Sequence, residues 1–235
     1  NMVLVGHSMG GLVSRLQTMD SGDDFWKIVS DQPANELKGA KEDRVKLVST
    51  LFFKPNQSVG RVITIGTPHR GSDFSNDYTQ WLARKFIKLP QMFVSTGQRL
   101  TRENPDFFRD TDLLTAVNAV DSLSPKSPIF PVMLRAKKSS NVKFHNIIGV
   151  LEKPSLLSSK SRKSDGVVEY ASAHMDDVES EIMVDAEHTR IHMTGKAIFE
   201  VRRILLEHLQ SIDANDRVAI QPSEAPMHAA DAYRR

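Results

Sequence analysis

The sequence contains no cysteine. That absence removes disulfide staples, thiolate metal sites and a thiol nucleophile together, and it leaves the redox compartment open. Long apolar runs are missing as well, the longest falling far short of the roughly 20 residues that a membrane-spanning helix needs. Neither sign of charge dominates, with 31 Lys and Arg against 29 Asp and Glu. A protein that works by neutralising phosphates carries a larger or more clustered positive excess, so nucleic acid is not an expected partner. What is present is the balance of a folded domain: 235 residues, 40% hydrophobic and 26% charged, enough to bury one core of ordinary size and incompatible with disorder throughout. Asn1 leads within a few residues into a buried-type strand without an initiating methionine or charged leader, so upstream residues are expected to be missing.

Met2, Val3, Leu4 and Val5 form a short apolar run rich in β-branched residues and ended by Gly6, the pattern of a strand buried on both faces. A helix is expected directly afterwards, because Leu12, Val13, Leu16 and Met19 recur at helical spacing before the stop Asp20-Ser21-Gly22. Residues 23–59 read as loop with a modest helix over 45–51. Further strands are expected at 61–65, 142–150 and, shorter, 180–184. A closing helix spans 194–209, with Ile198, Val201, Leu205 and Leu209 on one face and Thr194 as N-cap. Between about 71 and 131 strand-like alternation disappears and aromatic residues gather. There Tyr78, Leu82, Phe86 and Leu89 mark an amphipathic helix stopped by Pro90, within a helical insertion. The basic loop with Lys153, Lys160, Arg162 and Lys163 reads as a solvated charge cluster or as a contact for anionic lipid headgroups. Beyond Asp213 a loose polar tail is expected. Strands alternating with helices predict a parallel, doubly wound α/β sheet whose sites lie at the carboxyl ends of the strands.

Gly6-His7-Ser8-Met9-Gly10 fits G-x-S-x-G between a buried strand and an amphipathic helix, the context in which a serine is forced to the tip of a sharp turn. Gly6 and Gly10 would relieve crowding there, and Gly11 would let the helix start pack close to the sheet. A Gly-rich turn or phosphate cradle is the plainer alternative, but no G-x-x-x-x-G-K is present. A serine hydroxyl needs a base, and the base needs an orienting carboxylate. Asp165, in the polar loop Ser164-Asp165-Gly166-Val167-Val168, is one candidate acid, although Asp-Gly is also a common turn dipeptide. His188, shortly after the last strand, is the candidate base, and the order Ser8, Asp165, His188 is that of a strand–elbow hydrolase. His192 is its nearest rival. A metal reading of His188 with His192 lacks the glutamate that the zinc-protease pattern places after the first histidine, since Thr189 stands there. His7 packs beside the elbow, His145 lies inside a strand, His208 sits on a helix surface, and His174 follows Asp165 too closely to be the base.

The blocks Gly6-His7-Ser8-Met9-Gly10-Gly11, Gly66-Thr67-Pro68-His69-Arg70-Gly71-Ser72 and Ser164-Asp165-Gly166-Val167-Val168, in that order, resemble the lipase and esterase branch of the α/β-hydrolase superfamily. The resemblance runs to about Leu209. It implies Ser8 as nucleophile, Asp165 as acid and His188 as base, with the Met9 amide as one oxyanion donor and a loop-shaping role for His69. Glu169 stands where many relatives have proline, and Glu187 where glycine often precedes the catalytic histidine; neither removes a functional group. The resemblance further implies the carboxyl-terminal half of the hydrolase fold, strands five to eight. Residues 1–211 would form a partial domain with a cap inserted at about 72–131, and 212–235 a disordered tail. The second oxyanion donor would then lie ahead of Asn1, the first strand would be an unpaired edge, and activity would belong to the full-length protein. Trp81, Phe86 and Phe93 are candidate acyl contacts in a lid. The implied partner is an ester or lipid substrate and no cofactor is implied. Thioesterase, amidase or acyltransferase chemistry on the same triad, or a non-catalytic interaction protein on this fold, are the alternatives.

Overall fold

A computed structural model describes residues 1–72, 91–109, 114, 125–151 and 163–220, apart from the side chains of 91–93 and 213–220. The chain runs β1 (Met2–His7), α1 (Met9–Leu16), β2 (Met19–Asp20), α2 (Trp26–Val29), α3 (Lys41–Leu51) and β3 (Val59–Ile65). It continues through α4 (Gln91–Glu103), α5 (Ile129–Arg135), β4 (Lys137–Lys138), β5 (Lys143–Gly149), α6 (Tyr170–Ala173), β6 (Ser180–Val184) and α7 (Gly195–Ile220). The strands β1, β3, β5 and β6 hydrogen-bond in that order into a four-stranded sheet, every pair parallel. Parallel neighbours need crossovers, and helical segments supply them, which makes this an α/β fold. The β-branched runs expected as strands are these four.

The two inner strands, β3 and β5, are buried along almost their whole length, so the sheet is covered on both faces there. On one side Ile63, Ile65, Ile147 and Val184 pack against Ile191, Ala197 and Ile204. On the other, Leu12 of α1 joins Met19, Phe25, Phe130 and Met133. Leu100 of α4, fully buried, packs with Trp26, Leu37, Leu47 and Phe107. The same helix is tied to α3 by Asp43, which accepts from Arg99 Nε and Nη2, both at 2.7 Å, and from the Thr96 hydroxyl at 3.0 Å. Tyr78, Trp81, Leu82, Phe86 and Leu89 lie outside the described residues, as does the side chain of Phe93.

Several expectations need correction. Met19 does not extend the first helix: α1 ends at Leu16, the Thr18 hydroxyl turns back onto the Arg15 carbonyl at 2.7 Å, and Met19 enters an antiparallel pair with Lys138. The helix expected over 45–51 starts earlier, at Lys41. In α7 the face turned to the sheet carries Ala197, Val201, Ile204 and His208, whereas Ile198, Leu205 and Leu209 are exposed. Polar pins set this rotation. Arg61, buried in β3, donates to Glu207 at 2.9 Å, and Ser180 of β6 donates to Glu200 at 2.8 Å. His208 is accordingly buried against Gly60 rather than on a helix surface. The N-cap is as expected, with the Thr194 hydroxyl accepting from the Ala197 amide at 3.2 Å. The helix then continues past Asp213 to Ile220, through residues 213–220 that hold neither proline nor glycine. Lys153, Lys160 and Arg162 lie outside the described residues. Among the described residues no helix is long and apolar enough to cross a membrane.

Candidate active site

The segments that follow β1, β5 and β6 converge on one side chain constellation, beside the end of β3. Ser8 follows β1 directly and has φ +55°, a left-handed conformation that a residue with a β-carbon adopts only under constraint. Its amide donates to the Ile65 carbonyl at 2.8 Å, which ties the turn to the end of β3. A β-carbon on Gly6 would lie 2.4 Å from the Gly10 carbonyl carbon and 2.5 Å from the Gly11 nitrogen, backbone atoms that cannot yield. One on Gly11 would strike the Thr67 side chain at 2.0 Å, so this glycine lets α1 approach the β3 exit. Gly10 differs from the expectation: a β-carbon there would meet open space. The elbow is therefore relieved on its strand side and at the helix–loop contact. Met9 opens α1, with its amide beside Ser8 at the positive end of the helix.

The structure brings the three sequence-selected residues together. The Ser8 hydroxyl lies 2.9 Å from His188 Nε2, and His188 Nδ1 lies 2.8 Å from Asp165 Oδ2. With Nδ1–H donating to the carboxylate, Nε2 is left to accept from the serine. Asp165 and His188 are almost wholly buried, while Ser8 is half-buried and reachable from solvent. The other carboxylate oxygen of Asp165 accepts from the amides of Val167 at 2.9 Å and Val168 at 2.7 Å, and the His188 amide donates to the Asp165 carbonyl at 2.9 Å. Asp165 and His188 thus grip one another through main chain as well as side chain.

Other residues make room for this contact or brace it. Gly66, at φ +54°, ends β3 where a β-carbon would come within 3.4 Å of both Asp165 Oδ2 and His188 Nδ1 and within 2.7 Å of Ile191. Gly149 clears the same space from β5, a β-carbon there falling 2.8 Å from that of Asp165. The segment after β3 clamps the loop that carries Asp165: the Ser72 hydroxyl donates to the Val167 carbonyl at 2.6 Å, and Arg70 donates to the carbonyls of Ala171 and His174. Gly66, Gly149 and Ser72 join segments distant in sequence, and only the Gly-rich and Ser-bearing block after β3 hinted at them.

The remaining histidines take other places. His7 donates from Nε2 to the His188 carbonyl at 2.8 Å and lies between the rings of His188 and His192. His192 is exposed and makes no bond to Ser8. His69 is buried behind α1, where its Nδ1 accepts from Arg15 Nη1 at 2.9 Å. Burial, with the charges of Arg15 and Arg70, pushes its pKa well below the ordinary imidazole value. Burial likewise lowers Arg15 to about 10. His174 sits at the surface between Glu181 Oε1 at 2.7 Å and Asp176 Oδ1 at 2.9 Å. An imidazole beside a carboxylate and a hydroxyl can exchange a proton, and a half-exposed serine on a strained turn can attack an electrophile, so the arrangement is suited to nucleophilic catalysis.

No family model matches the chain, and no match is found among curated proteins. Among solved structures it is similar to the mature form of the lipase BlEst2 from Bacillus licheniformis, at 18% identity and a TM-score of 0.44, over 88% of this chain and 65% of that one. The propeptide form of that lipase matches at 17% identity and a TM-score of 0.44, over 88% and 36% of the two chains. Lipase 1 from Pelosinus fermentans matches at 17% identity and a TM-score of 0.45, over 84% and 68%. The chain therefore spans 65% of the first of these structures and less of the propeptide form.

Proposed function

We propose that this chain carries the reaction centre of a serine hydrolase that cleaves carboxylic esters. One observation supports the reading above all: an unbroken hydrogen-bond path from the Ser8 hydroxyl through both nitrogens of His188 to Asp165, built on a serine in left-handed backbone. In this mechanism Ser8 Oγ attacks the ester carbonyl as His188 Nε2 takes its proton. The Met9 amide, at the start of α1, is one donor to the oxyanion. Asp165 keeps Nδ1 protonated and stabilises the imidazolium. The imidazolium then returns the proton to the departing alkoxide, leaving an acyl group on Ser8. Water, deprotonated by the same imidazole, releases the acid and restores the serine.

The experiment is direct. A fluorophosphonate probe should label Ser8 in the intact protein, and Ser8→Ala should lower ester turnover by about four orders of magnitude or more. Esterase activity unchanged in Ser8→Ala would end the reading, and a folded protein that refuses the probe would mark a hydrolase-fold binding protein instead. The segment at about 72–131 is taken as a cap over the site, with Trp81, Phe86 and Phe93 as acyl contacts. Turnover of p-nitrophenyl esters should then rise from acetate toward medium chains, whereas a preference confined to acetate would remove the lipid-like substrate from the proposal.

A further inference from the structure

His7 occupies the open position of G-x-S-x-G, which the nucleophile's geometry leaves unconstrained. Yet its ring is spent on the base. Nε2–H donates to the main-chain carbonyl of His188 at 2.8 Å, and the two rings lie 5.0 Å apart at 38°. On its other side the ring meets His192, 5.1 Å away at 56°. Beyond the short helical turn that it opens (His188–Met193), His188 is held by three bonds: its amide to the Asp165 carbonyl, Nδ1 to the Asp165 carboxylate and Nε2 to the Ser8 hydroxyl. Two of those three end on Asp165 and the third on the reacting oxygen itself. A side chain from the elbow grasps the His188 carbonyl as well.

We propose that His7 is a positioning residue: by holding the His188 carbonyl it couples the nucleophile's own turn to the base, and so fixes the Ser8–His188 separation during proton transfer. The inference rests on the serine-hydrolase reading. The link is short, since His7 and Ser8 are adjacent, so a shift of the elbow carries the anchor of the base with it. Donation to a carbonyl requires the Nε2–H form. Burial holds the His7 pKa below the ordinary value, as do the neighbouring rings of His188 and His192, while the bond to the His188 carbonyl and the charge of Asp165 act the other way. A neutral His7 matters because His188 must become an imidazolium 5.0 Å away.

Two variants separate the donor from the ring. His7→Phe keeps the stacked ring and loses the donor; His7→Gln keeps an N–H at a similar reach and loses the ring. The expected result is a kcat lowered on the order of tenfold to a hundredfold in His7→Phe with KM unchanged, and recovery of most of that loss in His7→Gln. The low-field proton resonance of His188 Nδ1–H, which reports the contact with Asp165 without any turnover, should broaden or move in His7→Phe and return in His7→Gln. Wild-type kcat and an unmoved resonance in His7→Phe would overturn the role of His7 while leaving the hydrolase reading intact. Should His7→Phe fail to fold, imidazole nitrogen shifts in the unaltered protein decide: an Nε2–H tautomer at His7 is expected, and an Nδ1–H tautomer overturns the proposal. Failure of the unaltered protein to react with the fluorophosphonate, with the His188 resonance present, would instead sink the hydrolase reading.

Discussion

His188 and His69 are both almost completely buried, and both follow the ends of strands in one parallel sheet, yet their surroundings oppose one another. His188 has a carboxylate on one nitrogen and a hydroxyl on the other. His69 has a guanidinium, Arg15, on Nδ1, with the charges of Arg15 and Arg70 adding to burial against its protonated form. An imidazole backed by a carboxylate can accept a proton in the low-dielectric interior because the resulting cation is paired; one backed by a guanidinium cannot. Under the proposed function, the partner that each loop brings, rather than burial or residue type, decides which histidine handles protons.

The largest effect that would break this contrast is at the carboxylate. Asp165→Asn removes the negative charge behind His188 and lets the amide favour the wrong tautomer. Ester turnover should fall by about 10⁴-fold, read as kcat on the ester that the protein cleaves best. A fall of less than tenfold would mean that another group orients His188. Next comes a pair. His188→Ala should abolish turnover to a similar extent, and it also costs stability, through the void and the buried Asp165 oxygen left without its donor. His69→Ala should cost on the order of 2–4 kcal/mol, through the void and the Arg15 Nη1 left without its acceptor, but spare turnover, with kcat within about threefold. A His69→Ala protein that melts normally but has lost turnover would overturn the assignment of structure to one histidine and chemistry to the other.

How far the sequence discloses this arrangement follows from the range of each interaction. The elbow is local: strand, serine and helix lie within residues 2–16, so periodicity and the G-x-S-x-G spacing suffice to find Ser8. The order of Asp165 and His188 behind it is legible, but their 2.8 Å contact depends on two loops meeting across the carboxyl ends of β5 and β6. The space for that contact is not legible. Gly66 and Gly149 look like ordinary strand ends until the Asp165 and Ile191 atoms that fill the places of their missing β-carbons are seen. The misread face of α7 has a similar origin. Ile198, Leu205 and Leu209 are at least as apolar as the residues that face inward. The rotation is set by Arg61 with Glu207 and Ser180 with Glu200, pairs 146 and 20 residues apart in sequence. Gly10 is the converse case: the motif suggests a steric need that the turn does not have.

The smallest expected effects sharpen the contrast by the sign of a pH dependence. His145, between Arg61 Nη1 at 2.8 Å and the Ser180 hydroxyl at 2.9 Å, is lowered to about 4 by burial and then by the Arg61 charge. Between the ordinary value of 6.5 and that value the unfolded chain binds a proton that the folded protein refuses, so stability is full above 6.5 and falls as the solution is acidified. His174 is raised above 6.5, first by its hydrogen bond to Glu181, so the folded protein binds the proton more tightly. Its contribution is full below 6.5 and is lost as pH rises through the raised value. Melting temperatures of the unaltered protein minus those of His145→Gln should therefore decline toward acid, and those minus His174→Gln toward alkali. The second slope should be the shallower, because His174 pairs with Asp176 at an exposed surface where solvent and salt screen the charges. Slopes of the same sign would show that burial alone governs both histidines, and the distinction drawn from guanidinium and carboxylate neighbours would fall with it.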